Sequence, residues 1–165
     1  MPFVAALMLV LSPAAYAKDM KFGHVDFKSA VENTVAYQKG MQRLQALKSK
    51  REKELSAMQD KISAKEKALL GQSMAMSPDM LEQKQQDLKD LRKEFSRKQQ
   101  DAQEELLNEK NRLDQSLVAD FYSVVQAYGK AHHFDYIFME KASVIYANPA
   151  LDITPEITKL LDKKK

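Results

Sequence analysis

The run MQRLQALKSKREKELSAMQDKISAKEKALL at residues 41–70, followed by GQSMAMSPD at residues 71–79, decides the fold of this chain. The first run contains neither Pro nor Gly, and its seam positions recur at steps of three and four residues. This eleven-residue period predicts one long, nearly straight helix. The second run collects Gly, Ser and Pro, and Ser77 before Pro78 predicts a turn followed by a new helix. The seam positions of the first helix are Leu44, Leu47, Arg51, Leu55, Met58 and Ile62.

A second long helix is predicted after this turn. Apolar residues continue at heptad spacing and, after a slip of four residues, resume toward the C-terminus. Two helices joined by a short turn predict an antiparallel coiled-coil hairpin over residues 41–120, with its tip at about residues 71–79 and a reach of roughly 45–60 Å. Because Arg51, Lys84 and Lys98 interrupt the seam, we expect this arm to stand mostly in water. The second seam consists of Leu81, Leu88, Phe95 and Ala102, then Leu106, Leu113, Leu117, Phe121 and Val124.

Most aromatic residues lie outside this hairpin, which predicts that a compact body forms from the two ends of the chain. Short apolar runs predict strands at residues 20–27, 134–139 and 143–147, with the last two forming a tight hairpin. Gly129 is expected to end the long return helix, and Thr154 is expected to cap a final helix that has Pro155 in its first turn.

Together these elements predict an α+β fold, mainly α, in which a small β-containing body carries a long helical arm. The body is discontinuous, with residues 18–40 and 121–165 on either side of the arm at residues 41–120. Such a small sheet needs further packing to be stable, so we expect the body to form oligomers. The residues predicted for this oligomer-forming body are Phe22, Val25, Phe27, Phe134, Tyr136, Phe138, Val144 and Tyr146.

The 165 residues carry a formal net charge of +3 and no Cys, which excludes disulfide frameworks, thiolate nucleophiles and Cys-ligated metals. Residues 1–17, MPFVAALMLVLSPAAYA, are apolar and end in small residues, which predicts an export signal cleaved after Ala17. No positive charge precedes Lys18, unlike the usual basic start of such a signal, which a start codon placed too far downstream would explain. A buried N-terminal helix or a membrane anchor is the alternative interpretation.

The sequence contains no recognisable catalytic or cofactor motif. The four Gly are dispersed singly and cannot form a phosphate-binding loop, and His24, His132 and His133 lack the spacing of a zinc site. We therefore predict no catalytic residues, no metal and no cofactor, and we interpret His132 and His133 as a polar helix terminus. An enzyme is not expected.

Two features of the arm are candidates for binding. Between residues 84 and 98, six basic residues outnumber three acidic ones, which predicts a positive field for an anionic partner or, equally, an ordinary solvated helix face. Adaptable Met side chains near the tip could contact varied apolar segments, although such Met residues more often fill a helical turn. The candidate residues are Lys84, Lys89, Arg92, Lys93, Arg97 and Lys98, with Met58, Met74, Met76 and Met80.

Nearly the whole chain from residue 18 to residue 165 resembles the Skp/OmpH family of periplasmic chaperones of Gram-negative bacteria. The matching segments are the opening KFGHVDFKSAVENTVAYQKG, the charged hairpin of residues 41–118, the closing FDYIFMEKASVIYANP and the terminal DITPEITKLLDKKK. The resemblance implies a jellyfish-like homotrimer in which three arms surround a cavity that holds unfolded outer-membrane β-barrel proteins. It also implies a periplasmic location and no use of ATP.

The function expected from this resemblance is that of a holdase, which prevents aggregation of outer-membrane proteins during transport by many weak contacts. One alternative is an exported coiled-coil tether, although the polar seam positions argue against it. Another is a basic binder of lipopolysaccharide, an anionic membrane surface or another polyanion. Specific nucleic-acid binding is not expected, because the arm lacks interleaved aromatic residues for base stacking.

Overall fold

The structure, a computed structural model, describes residues 19–140 and 144–164, so the predicted export signal lies outside the described residues. It contains a small two-stranded sheet, two long helices and two short ones. None of the helices in these ranges has an apolar stretch long enough to cross a membrane. In chain order the elements are β1 (Phe22–Val25), α1 (Phe27–Glu32), α2 (Val35–Gln72), a 3₁₀ turn (Ser73–Ala75), α3 (Pro78–Ala131), β2 (Tyr136–Met139), a second 3₁₀ turn (Pro149–Leu151) and α4 (Thr154–Lys163).

The predicted antiparallel hairpin is confirmed. The 38 residues of α2 and the 54 residues of α3 pack against each other. At 1.5 Å per residue, α2 alone is about 57 Å long. The turn forms as predicted, because the Ser77 hydroxyl accepts a hydrogen bond from the backbone N–H of Met80 and Pro78 begins the helix. Within α2, only Gly40 and Ile62 are fully buried among the described side chains, so the arm does stand in water.

The body is built around a parallel pair of strands that the arm separates in sequence. Phe22 in β1 pairs with Tyr136 in β2, and Val25 pairs with Met139. The first strand is shorter than predicted and ends at Val25. The cause is Asp26, whose carboxylate accepts hydrogen bonds from the N–H groups of Lys28 and Ser29 and so starts α1. Phe27, predicted as a strand residue, is therefore helical.

The predicted third strand at residues 143–147 is wrong for its described part. Residues 144–147 form no regular structure, and the described residues after β2 form no β-hairpin with it. A strand requires a hydrogen-bonding neighbour, and β1 instead extends its pairing through a bridge between His24 and Asp152. The apolar side chains of Ile145 and Tyr146 consequently face solvent, with exposed fractions of 105% and 82%.

Two predicted helix boundaries are also wrong. Gly129 does not end α3, which continues to Ala131 and is followed by His133 in a left-handed conformation. Gly129 is instead buried against β2, where an added Cβ would lie 3.1 Å from Ile137 Cδ1. Thr154 does not cap α4 but is its first residue, and its hydroxyl accepts a hydrogen bond from the N–H of Asp26.

A single apolar core holds the body together and anchors one end of the arm. Phe121 and Val124 on α3 pack with Val25 of β1 and Ile157 of α4. Phe27 meets Phe121 edge to face, with ring centroids 4.9 Å apart. Because α3 supplies both this core and one side of the arm, the arm is a continuous extension of the body. The core residues are Val25, Ala30, Val31, Leu117, Phe121, Val124, Ile153 and Ile157.

Candidate functional site

A narrow apolar seam joins the two helices of the arm. Every predicted apolar seam position on α2 and α3 is buried or half-buried, whereas Lys84 and Lys98 are exposed. Ile62, Leu88 and Ala102 are the most deeply buried seam residues of the outer arm. Most of the remaining arm surface is polar and open to solvent, so it is available for contact with a partner.

Arg51, which the sequence presents as an interruption of the seam, forms a cross-link between the helices. Its Nε donates to Glu105 Oε2 on α3 at 2.7 Å, and its Nη1 donates to Glu54 Oε2 at 2.7 Å. The hydrogen bonds with Glu105 and then Glu54 raise the pKa of Arg51 above its ordinary value. They lower the pKa of both carboxyl groups. This polar contact therefore fixes the register of the hairpin while leaving its surface hydrated.

A second cross-link lies nearer the tip. Arg92 Nη2 donates to Glu66 Oε1 at 2.6 Å, joining α3 to α2. Arg92 is one of the six basic residues predicted to bind a partner, and it thus has a structural contact as well. The other five are exposed, and for them no bond between the two helices is found in the described part of the chain.

Charge is distributed unevenly along the arm. Near the body, residues 39–54 of α2 carry six basic and two acidic side chains, while the facing residues 101–120 of α3 carry six acidic and two basic ones. The two excesses cancel. Near the tip, residues 84–98 carry six basic and three acidic side chains, and the facing residues 58–72 carry three basic and two acidic ones. Residues 58–72 and 84–98 together have a formal excess of four positive charges, and we call these two stretches the distal basic surface. Asp79 and Glu82 at the tip lower the excess of the whole outer half to two.

The candidate Met residues divide into two groups. Met58 lies half-buried on the seam, which fits a packing role, and Met76 is also half-buried. Met74 is fully exposed and Met80 about half exposed, with fractions of 103% and 52%. Only Met74 and Met80 thus offer substantial apolar surface at the tip to a partner. Leu70, which sequence reasoning did not single out, is 82% exposed beside them.

The body also has an exposed aromatic surface. Phe22, Tyr136 and Phe138 lie on one face of the sheet, with ring centroids 5.8 to 6.3 Å apart, and are each about half exposed. We call these three residues the aromatic sheet face. Tyr146 is exposed and Val144 half-buried in the irregular segment that follows β2. Exposed aromatic side chains grouped on one face are a candidate surface for association.

The other residues predicted for the oligomer-forming body lie inside the protomer. Val25 is 1% exposed within the core, and Phe27 packs against the same core. Phe134 packs against Tyr128, and the Lys21 ammonium lies 4.3 Å from the centre of its ring. These three side chains shape the body from within, so a partner would meet the aromatic sheet face rather than them.

The three His residues have structural surroundings. His24 is buried in β1, with its Nε2 3.1 Å from the carbonyl oxygen of Asn148 and its Nδ1 3.5 Å from Glu140 Oε2. His132 follows the last residue of α3 and its ring lies 4.1 Å from that of Tyr128, which matches the predicted polar helix terminus. In the described ranges no three His, Asp or Glu side chains come together as a metal-binding group.

Sequence reasoning found the local features of the arm and missed the pairings across it. The partners Glu105 and Glu66 lie 54 and 26 positions from their Arg residues, a separation that no single-helix pattern reveals. The opposite charge excesses near the body are visible in the sequence once the hairpin register is known.

Comparison with known proteins gives two findings. The family described as "Outer membrane protein (OmpH-like)" matches residues 21–161. The crystal structure of an OmpH-like protein from Caulobacter crescentus CB15 superposes with a TM-score of 0.82 at 21% identity, covering 100% of this chain and 92% of that one. That protein was provisionally assigned as an outer membrane chaperone. A search among curated proteins found no match.

Proposed function

Because this chain belongs to the OmpH-like family, we propose that it is an ATP-independent periplasmic holdase for unfolded outer-membrane β-barrel proteins. The observation that carries the proposal is the arm: two long helices that pack on each other and present nearly all their remaining surface to water. A self-contained globular domain has no need of such a projection. A set of arms around a shared space can hold a chain much larger than any pocket of one protomer.

Weak, numerous contacts suit this task. The distal basic surface supplies long-range attraction to acidic segments, and exposed charges in water exchange quickly because solvent and salt screen them. Exposed thioethers at the tip add adaptable apolar contacts. We therefore retain as client-binding residues the six basic ones (Lys84, Lys89, Arg92, Lys93, Arg97 and Lys98) together with Met58, Met74, Met76 and Met80, of which Met74 and Met80 are the most accessible.

A cavity requires more than one arm, and we propose a homotrimer joined through the bodies. The aromatic sheet face and the exposed Tyr146 support self-association, because a monomer would leave these side chains in water. In the described part of the chain β2 pairs with β1 alone, so its second edge is also open to a strand from another copy. The segment at residues 144–147, irregular in the single chain, is the natural candidate for such an added strand.

The test dilutes a urea-unfolded outer-membrane β-barrel protein into buffer with or without this protein, without ATP, and follows aggregation by light scattering. We expect suppression when the chaperone assembly equals or exceeds the client in number. A folded protein of similar mass and charge serves as the control. Aggregation at the same rate with either protein would contradict the proposal.

The distal basic surface also fits a polyanion such as lipopolysaccharide, which is the second candidate function. Binding to this surface by charge alone weakens steeply with added salt. Competition separates the two functions: a polyanion that displaces the unfolded client shares its surface, and a polyanion that binds without affecting aggregation occupies another one.

A further inference from the structure

The two helices of the arm are attached to the body in different ways. Helix α3 runs without a break from the tip into the core, where Phe121 and Val124 are buried. Helix α2 begins anew at Val35, after a break in helical structure at Asn33 and Thr34. If the arm bends where it meets the body, α3 must flex and the first turn of α2 must shift.

Grooves that are open to solvent flank the first turns of α2. Open grooves of about 460 Å³ and 560 Å³ lie along this part of α2, where it faces α3. A third, of about 330 Å³, is lined by Val35, Ala36 and Lys39 of α2 and by the C-terminal end of α4. Apolar packing at the start of α2 is therefore concentrated where Gly40 meets Leu113, and polar bonds at Val35 add a second restraint on its position.

Helix α4 makes polar bonds to both helices at this point. Asp162 Oδ1 accepts a hydrogen bond from the backbone N–H of Val35 at 2.8 Å. Lys164 Nζ donates to Asp120 Oδ1 on α3 at 2.7 Å. The helix itself is held firmly, because Ile157 is completely buried and Leu160 and Leu161 pack against the core. The last turn of α4 thus connects the body to each helix of the arm.

The hydrogen bond that Asp162 accepts and the Lys164–Asp120 pair differ in their surroundings. The N–H of Val35 is among the first four of α2, which have no partner within the helix, and a carboxylate is favoured at this positive end. Thr34 satisfies another of these groups, since its hydroxyl accepts from the N–H of Tyr37. The Lys164–Asp120 pair is more than two-fifths exposed on both sides, so water and salt weaken it.

We propose that α4 acts as a brace that fixes the direction of the arm, with Asp162 as the main positioning residue and Lys164 as a second one. The inference rests on the proposed function in one respect only: arm direction matters because it sets the width of the space between arms. Loss of the brace broadens the range of arm directions without unfolding the body.

The test measures arm direction directly by placing spin labels at Gln59→Cys and Gln126→Cys in the mature chain, which has no native Cys. Both positions are exposed, one on the arm and one on the body. Labelled subunits are diluted into unlabelled ones, so that the distance within one chain is measured in whatever assembly forms. Pulsed electron paramagnetic resonance between the two labels then gives the distribution of that distance.

We expect Asp162→Ala to widen this distribution about twofold, as a segment loses its restraint. Asp162→Asn should restore the original width, because the amide oxygen still accepts from Val35. Lys164→Ala should widen it by a smaller but measurable amount. Lys163→Ala is the matched control, since Lys163 is exposed between the two bracing residues and should leave the width unchanged.

Equal widths in Asp162→Ala and the unsubstituted protein would overturn the brace, as would equal widening by Lys163→Ala. If Asp162→Ala does not fold, Lys164→Ala provides the test, because loss of an exposed ion pair does not threaten folding. An unchanged width of the distance distribution in Lys164→Ala would then refute the proposal. The two proposals can fail separately. If the unsubstituted protein shows a narrow distance distribution that Asp162→Ala widens but does not suppress client aggregation, the holdase function is contradicted and the brace is supported.

Discussion

Gly40 and Gly71 both lie within α2, yet an added methyl group would meet different surroundings at each. At Gly40 it would lie 2.5 Å and 2.7 Å from the two terminal methyl carbons of Leu113 on α3. At Gly71 no atom lies within 4 Å apart from its chain neighbours and the adjoining helix backbone. Gly40 therefore permits the close approach of the two helices near the body, whereas Gly71 has no packing role.

We predict opposite effects of Ala at these two positions. Gly40→Ala should lower the free energy of unfolding by about 1–2 kcal/mol, because overpacking outweighs the helix-propensity gain of about 1 kcal/mol. Gly71→Ala should leave it unchanged or raise it by up to about 0.5 kcal/mol, since only the propensity gain applies near a helix end. Urea denaturation followed by circular dichroism measures both.

The control for Gly40→Ala is a second substitution that removes the Leu113 side chain from the contact. Combining Gly40→Ala with Leu113→Ala should cost less than the sum of the two single changes, because the methyl group then occupies the space vacated by leucine. Strict additivity of the two changes would show that Leu113 does not constrain Gly40.

Local residue roles were predictable from the sequence, and distant ones were not. Ser77 caps α3 through a bond to Met80, three positions away, and its pattern is legible in the sequence. Thr154 has an equally typical capping pattern, but its hydroxyl is used by the N–H of Asp26, 128 positions away. A hydroxyl that serves a distant backbone group cannot be distinguished from a cap until the fold brings the two segments together.

Arg51 and its two carboxylate partners provide a pH-dependent element in the arm. Because the pKa of Glu105 is lowered from its usual 4.5 by the hydrogen bond from Arg51, the folded arm binds fewer protons than the unfolded chain in this range. The resulting stabilisation is present above about pH 4.5 and is lost as the pH falls through the lowered value. Glu54 changes in the same direction.

We predict that amide hydrogen exchange around Arg51 and Glu105 is unchanged between pH 7 and pH 5, after correction for the intrinsic rate, and accelerates as the pH falls below the usual carboxyl pKa of 4.5. The Arg51→Met variant should not show this acceleration at low pH, since no guanidinium then binds the two carboxylates. Lys53→Met on the exposed side of the same turn is the control and should retain it. If exchange still accelerates at low pH in Arg51→Met, other carboxylates cause the acceleration.

The two kinds of secondary structure differed in how far the sequence predicted them. The helices of the arm followed from periodicity, because an amphipathic seam and helical hydrogen bonds are local properties. The predicted strand at residues 143–147 failed for its described part because strand formation depends on a partner. Its apolar composition persists in the structure as the exposed Ile145 and Tyr146.

At the scale of the molecule, the position of positive charge along the arm distinguishes attraction of a client from simple solubility. Near the body the two helices neutralise each other, and toward the tip they do not. Two sets of four substitutions to Gln therefore change the net charge equally at different places. The distal set is Lys84, Lys89, Lys93 and Arg97, and the matched proximal set is Lys39, Arg43, Lys50 and Lys53.

We expect the distal set to slow association with an acidic unfolded client about tenfold at low salt and to abolish most of the salt dependence. The proximal set should have a much smaller effect, because its charges lie beside the acidic face of α3. Stopped-flow fluorescence of a labelled client measures both. Equal slowing by the two sets would mean that net charge alone matters and that the distal basic surface has no special role.

The assembly itself depends on the outer side chains of β2. Tyr136 and Phe138 point away from the core on the aromatic sheet face, while Ile137 and Met139 pack inward, so the outer pair can be changed without removing core contacts. We predict that Tyr136→Ser with Phe138→Ser converts the proposed trimer largely to monomer, as judged by native mass spectrometry. Because both side chains are already about half buried in one copy, burying the rest contributes about half of the roughly 1.5–3 kcal/mol expected for a fully exposed side chain.

The control for this double variant is Met74→Ser, which removes a fully exposed apolar side chain at the far end of the arm. It should leave the mass of the assembly unchanged. A monomeric double variant that still folds, judged by unchanged helical circular dichroism, would place the self-association surface on the sheet and predict weaker suppression of client aggregation. A double variant with the original native mass would contradict the aromatic sheet face as the interface, whatever its activity, because the side chains proposed to join the copies would then be dispensable.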